Sequence, residues 1–251
     1  MAHRRVPETI HDDGQTRIRY AGSLVRSDHL IISFSSIGQR RNMMPADEFT
    51  GTLLRDPDQH CMFVSDIGRS WMNDPALTKT IQRVVLGLID RNAVTRVTTL
   101  GLSMGAFSAL VSANLFPVTT AIAISPQFSV SDRVMPSETR WRFWSRRIRT
   151  FQYETAVAGN SPARAFIFHG LVDDADHIRA FGARPNVDHF VFPAASHSEL
   201  GMIFKKAGIL QELVLHASMH DRAKVARLIK KVGGMWRAKL LEDLPADLKD
   251  R

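Results

Sequence analysis

Val97-Thr98-Thr99-Leu100-Gly101-Leu102-Ser103-Met104-Gly105-Ala106 is the stretch on which the fold turns. A β-branched run, a serine between two glycines, and a small-residue segment over 106–115 follow one another without a gap. The first predicts a buried strand and the last a helix, so G-x-S-x-G falls at a strand–turn–helix junction. The two glycines permit a turn tight enough to lift Ser103 Oγ clear of a sheet. The helix start behind it supplies unpaired N–H groups and the positive end of a dipole. In that setting Ser103 reads as a nucleophile rather than as part of a plain glycine-rich turn.

Outward from this junction, apolar runs at 29–34, 61–64, 96–102, 119–124, 163–168 and 187–192 read as buried strands, with 16–20 as an edge strand. Residues 1–15 are polar without period and read as a loose arm. Asp74-Pro75 opens a helix, Asp as N-cap and Pro at the first helical position. Leu77, Ile81, Val84, Val85, Leu88 and Ile89 then mark its apolar face. Helices are expected at 174–183, at 198–219, and at 221–244 with an interruption at Gly233-Gly234. Strands alternating with helices imply an α/β fold: a mostly parallel central sheet with helices on both faces. One domain over 1–251 is expected, with an insertion at 126–162 and a C-terminal helical extension at 220–251.

Composition narrows the classes. The chain of 251 residues is 44% apolar, enough for a full core, and carries a net charge of +8 with a single cysteine, Cys61. A lone cysteine excludes an intrachain disulfide or a cysteine metal cluster. No apolar run reaches the ~18 residues of a membrane span, and the basic start at 1–7 lacks the apolar region of a signal peptide. A cytoplasmic protein is the expectation. No H-E-x-x-H, paired C-x-x-C or Walker sequence occurs, so neither metal nor cofactor is expected. The positive balance points to anionic partners such as acidic glycans or lipid headgroups; nucleic acid is not expected, since no recognition motif occurs.

A serine hydroxyl needs a base, and the base needs an orienting group. Reactive groups in an open parallel sheet gather at the C-terminal ends of strands. After the strand at 163–168 comes His169-Gly170-Leu171-Val172-Asp173-Asp174-Ala175-Asp176. Asp173 is the expected acid and Asp176 the reserve, with Asp174 left to complement the following helix dipole. After the strand at 187–192 comes Pro193-Ala194-Ala195-Ser196-His197-Ser198, which offers His197 as the base.

With these residues in the order Ser, acid, His, the chain resembles the α/β-hydrolase superfamily over roughly 28–215. His169-Gly170-x-x-Asp173 is similar to the family's H-G-x-x-D acid loop, and Asp66-Ile67-Gly68-Arg69-Ser70 looks like a loosened form of its D-x-R-G-x-G-x-S loop. The family's H-G sequence after the third strand is replaced by Ser35-Ser36-Ile37-Gly38. The resemblance implies an oxyanion hole made by the N–H of Met104 and that of Ser35 or Ser36. It also implies a lid in the 126–162 insertion, where Trp141, Trp144, Ile148 and Phe151 would share one face of a helix. Trp141, Trp144, Arg146 and Arg147 are its candidate substrate contacts, suited to an anionic ester or glycan.

The expectation is therefore a serine hydrolase acting on a small-molecule or glycan ester or thioester. The rival readings are an acyltransferase and a hydrolase-fold accessory protein that binds an anionic glycan or membrane. The latter would work through the basic insertion and the C-terminal helix, where Val225, Leu228, Ile229 and Val232 alternate with Lys224, Arg227, Lys230 and Lys231.

Overall fold

The computed structural model describes residues 5–157 and 161–243. A nine-stranded sheet forms its centre in the order β1-β2-β4-β3-β5-β6-β7-β8-β9. The strands are β1 (Glu8–Asp12), β2 (Thr16–Ala21), β3 (His29–Phe34), β4 (His60–Asp66), β5 (Arg96–Leu102), β6 (Thr120–Ile124), β7 (Arg164–Gly170), β8 (Val187–Phe192) and β9 (Met235–Trp236). From β4 through β8 neighbouring strands run parallel. The pairs β1–β2, β2–β4 and β8–β9 are antiparallel.

Side chains of successive residues leave opposite faces of this sheet, and both faces are covered. Leu30, Ile32, Met62 and Val64 point into one core, shared with α2 (Pro75–Asn92) and α3 (Met104–Val111). Ile31, Cys61, Phe63, Leu100 and Phe166 point into the other, against α1 (Thr50–Leu53), α6 (Leu200–Lys206), α7 (Leu210–Ser218) and α8 (Arg222–Lys231). Burial on two faces explains why these strands read as unbroken apolar runs.

The sequence reading needs correction where hydrogen bonding, rather than apolar pattern, makes the element. Residues 8–12 are a strand, not a loose arm. They pair with β2 through a turn in which Asp13 Oδ1 accepts the N–H of Gln15 (2.9 Å) and Thr16 (2.7 Å). Strand β2 consequently lies inside the sheet rather than at its edge. The helix expected at 198–219 is two, α6 and α7, separated by Gly208 at φ 68°. The one expected at 221–244 ends as α8 at Lys231. The chain then adds the short strand β9 and the helix α9 (Arg237–Asp243), so Leu244 lies outside the described residues. A Cβ at Gly234 would stand 2.4 Å from Ile229 Cγ2 and 2.6 Å from Phe192, so only glycine lets β9 close onto β8.

Among its described residues the insertion contains one short helix, α4 (Arg142–Ser145), in place of a single long amphipathic one. Trp144 is buried in the core, and Trp141, Ile148 and Phe151 pack partly against it. Tertiary contacts, not a helical face, therefore fix this segment.

Candidate active site

Strand β5 ends at Leu102, and Ser103 turns into α3 at φ 55°, ψ −120°, a conformation that a non-glycine residue adopts only under restraint. The restraint is visible on both sides. A Cβ on Gly101 would lie 2.1 Å from Gly105 C, and one on Gly105 would lie 2.2 Å from Phe34 O. The elbow thus packs backbone on backbone, with Ser103 N–H held by Ile124 O at 2.8 Å.

Ser103 Oγ donates to His197 Nε2 at 2.8 Å. His197 Nδ1–H donates to both oxygens of Asp174, at 3.0 and 2.9 Å. All three side chains are buried. The acid facing the ring is therefore Asp174 in place of Asp173. Helix α5 (Leu171–Phe181) starts at Leu171, three residues earlier than expected. Its phase turns Asp174 inward, about 100° around the helix from Asp173. Asp173 instead accepts the backbone N–H of His197 at 2.5 Å, bracing the loop while its carboxylate stays 39% exposed. The reserve Asp176 lies at the surface with Ser137 and Arg179. Gly170 brings the two loops together, since a Cβ there would meet Ala195 O at 2.4 Å.

The insertion reaches this acid. Arg140 Nη2 donates to Asp174 Oδ1 at 2.9 Å and pairs with Glu138, whose Oε2 also bonds His177 Nε2 at 2.8 Å. Burial alone would raise the Asp174 carboxyl. The His197 hydrogen bond and the charges of His197, His169 and Arg140 instead hold it at about 2. Glu138 is likewise held at about 2, because its bonds to His177 and Arg140 outweigh burial. Asp174 is thus a carboxylate at neutral pH, the state an acid needs if it is to orient an imidazole. The signal for Arg140 was in plain view in the insertion, but nothing in its neighbours revealed the partner.

Trp141 lies over His197, ring centroids 5.6 Å apart, so this candidate contact is beside the site. Trp144 is buried under the Arg69 guanidinium (4.9 Å) instead. Arg146 is exposed, and Arg147 stacks on Phe143 at 4.3 Å, at the surface of the insertion. Neither approaches the three polar residues in any described contact.

Of the expected oxyanion donors, Met104 N–H stands free at the start of α3 among the described hydrogen bonds. In the loop after β3, Ser35 N–H donates to Val64 O at 3.0 Å, prolonging the β3–β4 ladder by one bond. The Ser36 hydroxyl donates to the Glu48 carboxyl. A residue that the sequence did not point to stands at Ser103 instead: Gln127 Nε2 donates to Ser103 Oγ at 2.9 Å.

Beneath the acid loop, His169 Nε2–H donates to Pro126 O at 2.8 Å, which leaves Nδ1 to accept from His189 Nε2–H, also at 2.8 Å. Burial pushes His169 down to about 4 from 6.5 and His189 well below 6.5. Between these values the unfolded chain binds protons that the folded one refuses, so stability is full above pH 6.5 and falls as pH drops. Urea unfolding at pH 5 should show about 2 kcal/mol less stability than at pH 7 from His169 alone. A flat profile over that interval would contradict the buried neutral pair.

No family model matches the chain, and no curated protein sequence does. Solved structures do. A 2,6-dihydroxy-pseudo-oxynicotine hydrolase superposes with a TM-score of 0.59 at 14% identity, over 86% of this chain and 69% of the other. An acetyl xylan esterase from Paenibacillus sp. R4 gives 0.54 at 17% identity, over 80% of each chain. The acylaminoacyl peptidase of Pyrococcus horikoshii gives 0.56 at 12% identity over 91% of this chain, which spans only 40% of that protein. The fold is that of the α/β-hydrolases. At these identities the likeness is one of architecture, and the chemistry rests on the chain's own residues.

Proposed function

We propose that the protein is a serine hydrolase acting on a carboxylic ester or thioester through an acyl-enzyme. The observation that carries this reading is the unbroken hydrogen-bonded line from Ser103 Oγ through His197 to Asp174 at the C-terminal edge of the sheet. Ser103 Oγ attacks the carbonyl carbon and His197 Nε2 takes its proton. Asp174 keeps the imidazole in the tautomer that can do so and stabilises the imidazolium. His197 then protonates the leaving oxygen or sulfur, and water repeats the cycle on the acyl-enzyme. Transfer to another hydroxyl would use the same groups.

A cavity of about 530 Å³, lined in part by Leu102 and Ser198, adjoins the residues next to the nucleophile and the base. Phe49, Met202 and Leu210 give it apolar walls, and Arg55 and Lys205 also line it. Its size suits a small ligand, and this lining supports a substrate with an apolar acyl part and an anionic group. Among the described residues no helix is long and apolar enough to cross a membrane. The test is labelling with a fluorophosphonate probe. The expected result is one adduct, on Ser103, abolished in Ser103→Ala and His197→Ala. Folded protein that neither labels nor turns over p-nitrophenyl acetate would favour the accessory-protein reading.

A further inference from the structure

We infer that Gln127 supplies a side-chain hydrogen bond to the oxyanion, in the place where the loop after β3 would be expected to donate a backbone N–H. The inference rests on Ser103 being the nucleophile. Three observations carry it. Ser35 N–H is spent on Val64 O, and the Ser36 hydroxyl on Glu48. Gln127 is fully buried with its amide against the reacting oxygen, Nε2 to Ser103 Oγ at 2.9 Å. Its orientation is fixed from behind, because Trp71 Nε1–H donates to Gln127 Oε1 at 3.0 Å. An indole nitrogen can only donate, so Oε1 must face Trp71 and the NH2 must face Ser103. That NH2 carries two hydrogens and has one partner among the described residues.

The surrounding backbone shows what it takes to hold this group. Arg69, Trp71, Met72 and Ser125 all have φ between 48° and 59°, each a strained conformation for a side-chain-bearing residue. Asp66 pins the turn that delivers Trp71, accepting from Gly68 N–H, Ser70 N–H and Ser70 Oγ at 2.7 Å each. Buried Arg69 ties the same turn to the carbonyls of Ile37, Ile67, Arg40 and Met43. On the other side Ser125 Oγ donates to His197 O at 3.0 Å, linking the segment that carries Gln127 to the base. Such strain persists where surrounding contacts over-determine it, as at sites whose geometry is used.

In the reaction, the Oγ–C bond forms as the carbonyl π pair moves onto oxygen and the Oγ proton passes to His197 Nε2. The new oxyanion and Oγ share one carbon, on the order of 2.3 Å apart, so a donor already on Oγ reaches the oxyanion by a small swing and joins Met104 N–H. On collapse the pair returns, the bond to the leaving group breaks, and His197 delivers the proton.

Steady-state turnover of p-nitrophenyl acetate tests this with Gln127→Leu, Gln127→Glu and Trp71→Phe. Gln127→Leu should lower kcat about 10²–10³-fold with KM within about threefold, as for loss of one oxyanion donor. Gln127→Glu keeps an acceptor for Trp71 but sets a carboxylate against the oxyanion, and should lose at least as much. Trp71→Phe leaves the amide unsteered and should fall between. Affinity for a trifluoromethyl ketone, which forms the oxyanion adduct, should fall in step with kcat, a readout that a packing role would not move. Unchanged kcat in Gln127→Leu or Gln127→Glu overturns the inference while wild-type labelling of Ser103 leaves the hydrolase reading intact. Wild-type protein without labelling or turnover overturns both.

Discussion

Asp174→Asn should lower turnover of p-nitrophenyl acetate about 10⁴-fold, whereas Asp173→Asn should stay within about threefold. The size of the first effect follows from tautomers. Arg140 Nη2 donates to Asp174 Oδ1 at 2.9 Å, so in the variant the amide oxygen is held at Arg140 and the NH2 faces His197 Nδ1. That nitrogen must then accept, its proton moves to Nε2, and the ring loses the lone pair that would take the proton of Ser103. Asp173 accepts the backbone N–H of His197, which an asparagine oxygen also does, and its other partner is a long, part-exposed pair with Arg140 at 3.6 Å. The rate of fluorophosphonate labelling should follow the same order. Equal losses in the two variants, or a larger one in Asp173→Asn, would return the role to Asp173.

Gly105→Ala should cost about 3 kcal/mol or more in urea unfolding. Its Cβ would lie 2.2 Å from Phe34 O and 2.9 Å from Phe34 C, atoms of a central strand that cannot move aside. Helix α3 would have to retreat from the sheet, carrying Ser103 away from His197, so labelling should fall with stability. Gly87→Ala is the control. It sits in α2, exposed, with nothing within 4 Å of the added carbon, and should gain up to about 1 kcal/mol. Similar behaviour of the two variants would mean that the elbow is not packed backbone on backbone.

The two glycines, Ser103 and His197 were legible because each is a local event. A residue type at the end of an apolar run, read against the period of the next segment, suffices to place it in a parallel sheet. The acid was legible only as one of three neighbouring aspartates. Choosing among them needs the helix start to within one residue, because one step along a helix turns a side chain by about 100°. Sequence marks element ends far less sharply than that. Strand β1 escaped for a related reason: its exposed residues carry no apolar pattern, and its pairing is held by backbone bonds and one aspartate turn.

The sequence by itself determined the alternating α/β architecture, the strand–elbow–helix junction and the order of Ser103, the aspartate loop and His197. Those follow from burial pattern and turn chemistry, which act between residues close in the chain. Only the tertiary structure decided that Asp174 meets the ring, that Arg140 in the insertion holds that acid, and that Gln127 stands against Ser103. Each of these is a contact across 23 to 34 residues of chain. A polar side chain carries no mark of which distant partner will use its last hydrogen bond until packing has fixed both.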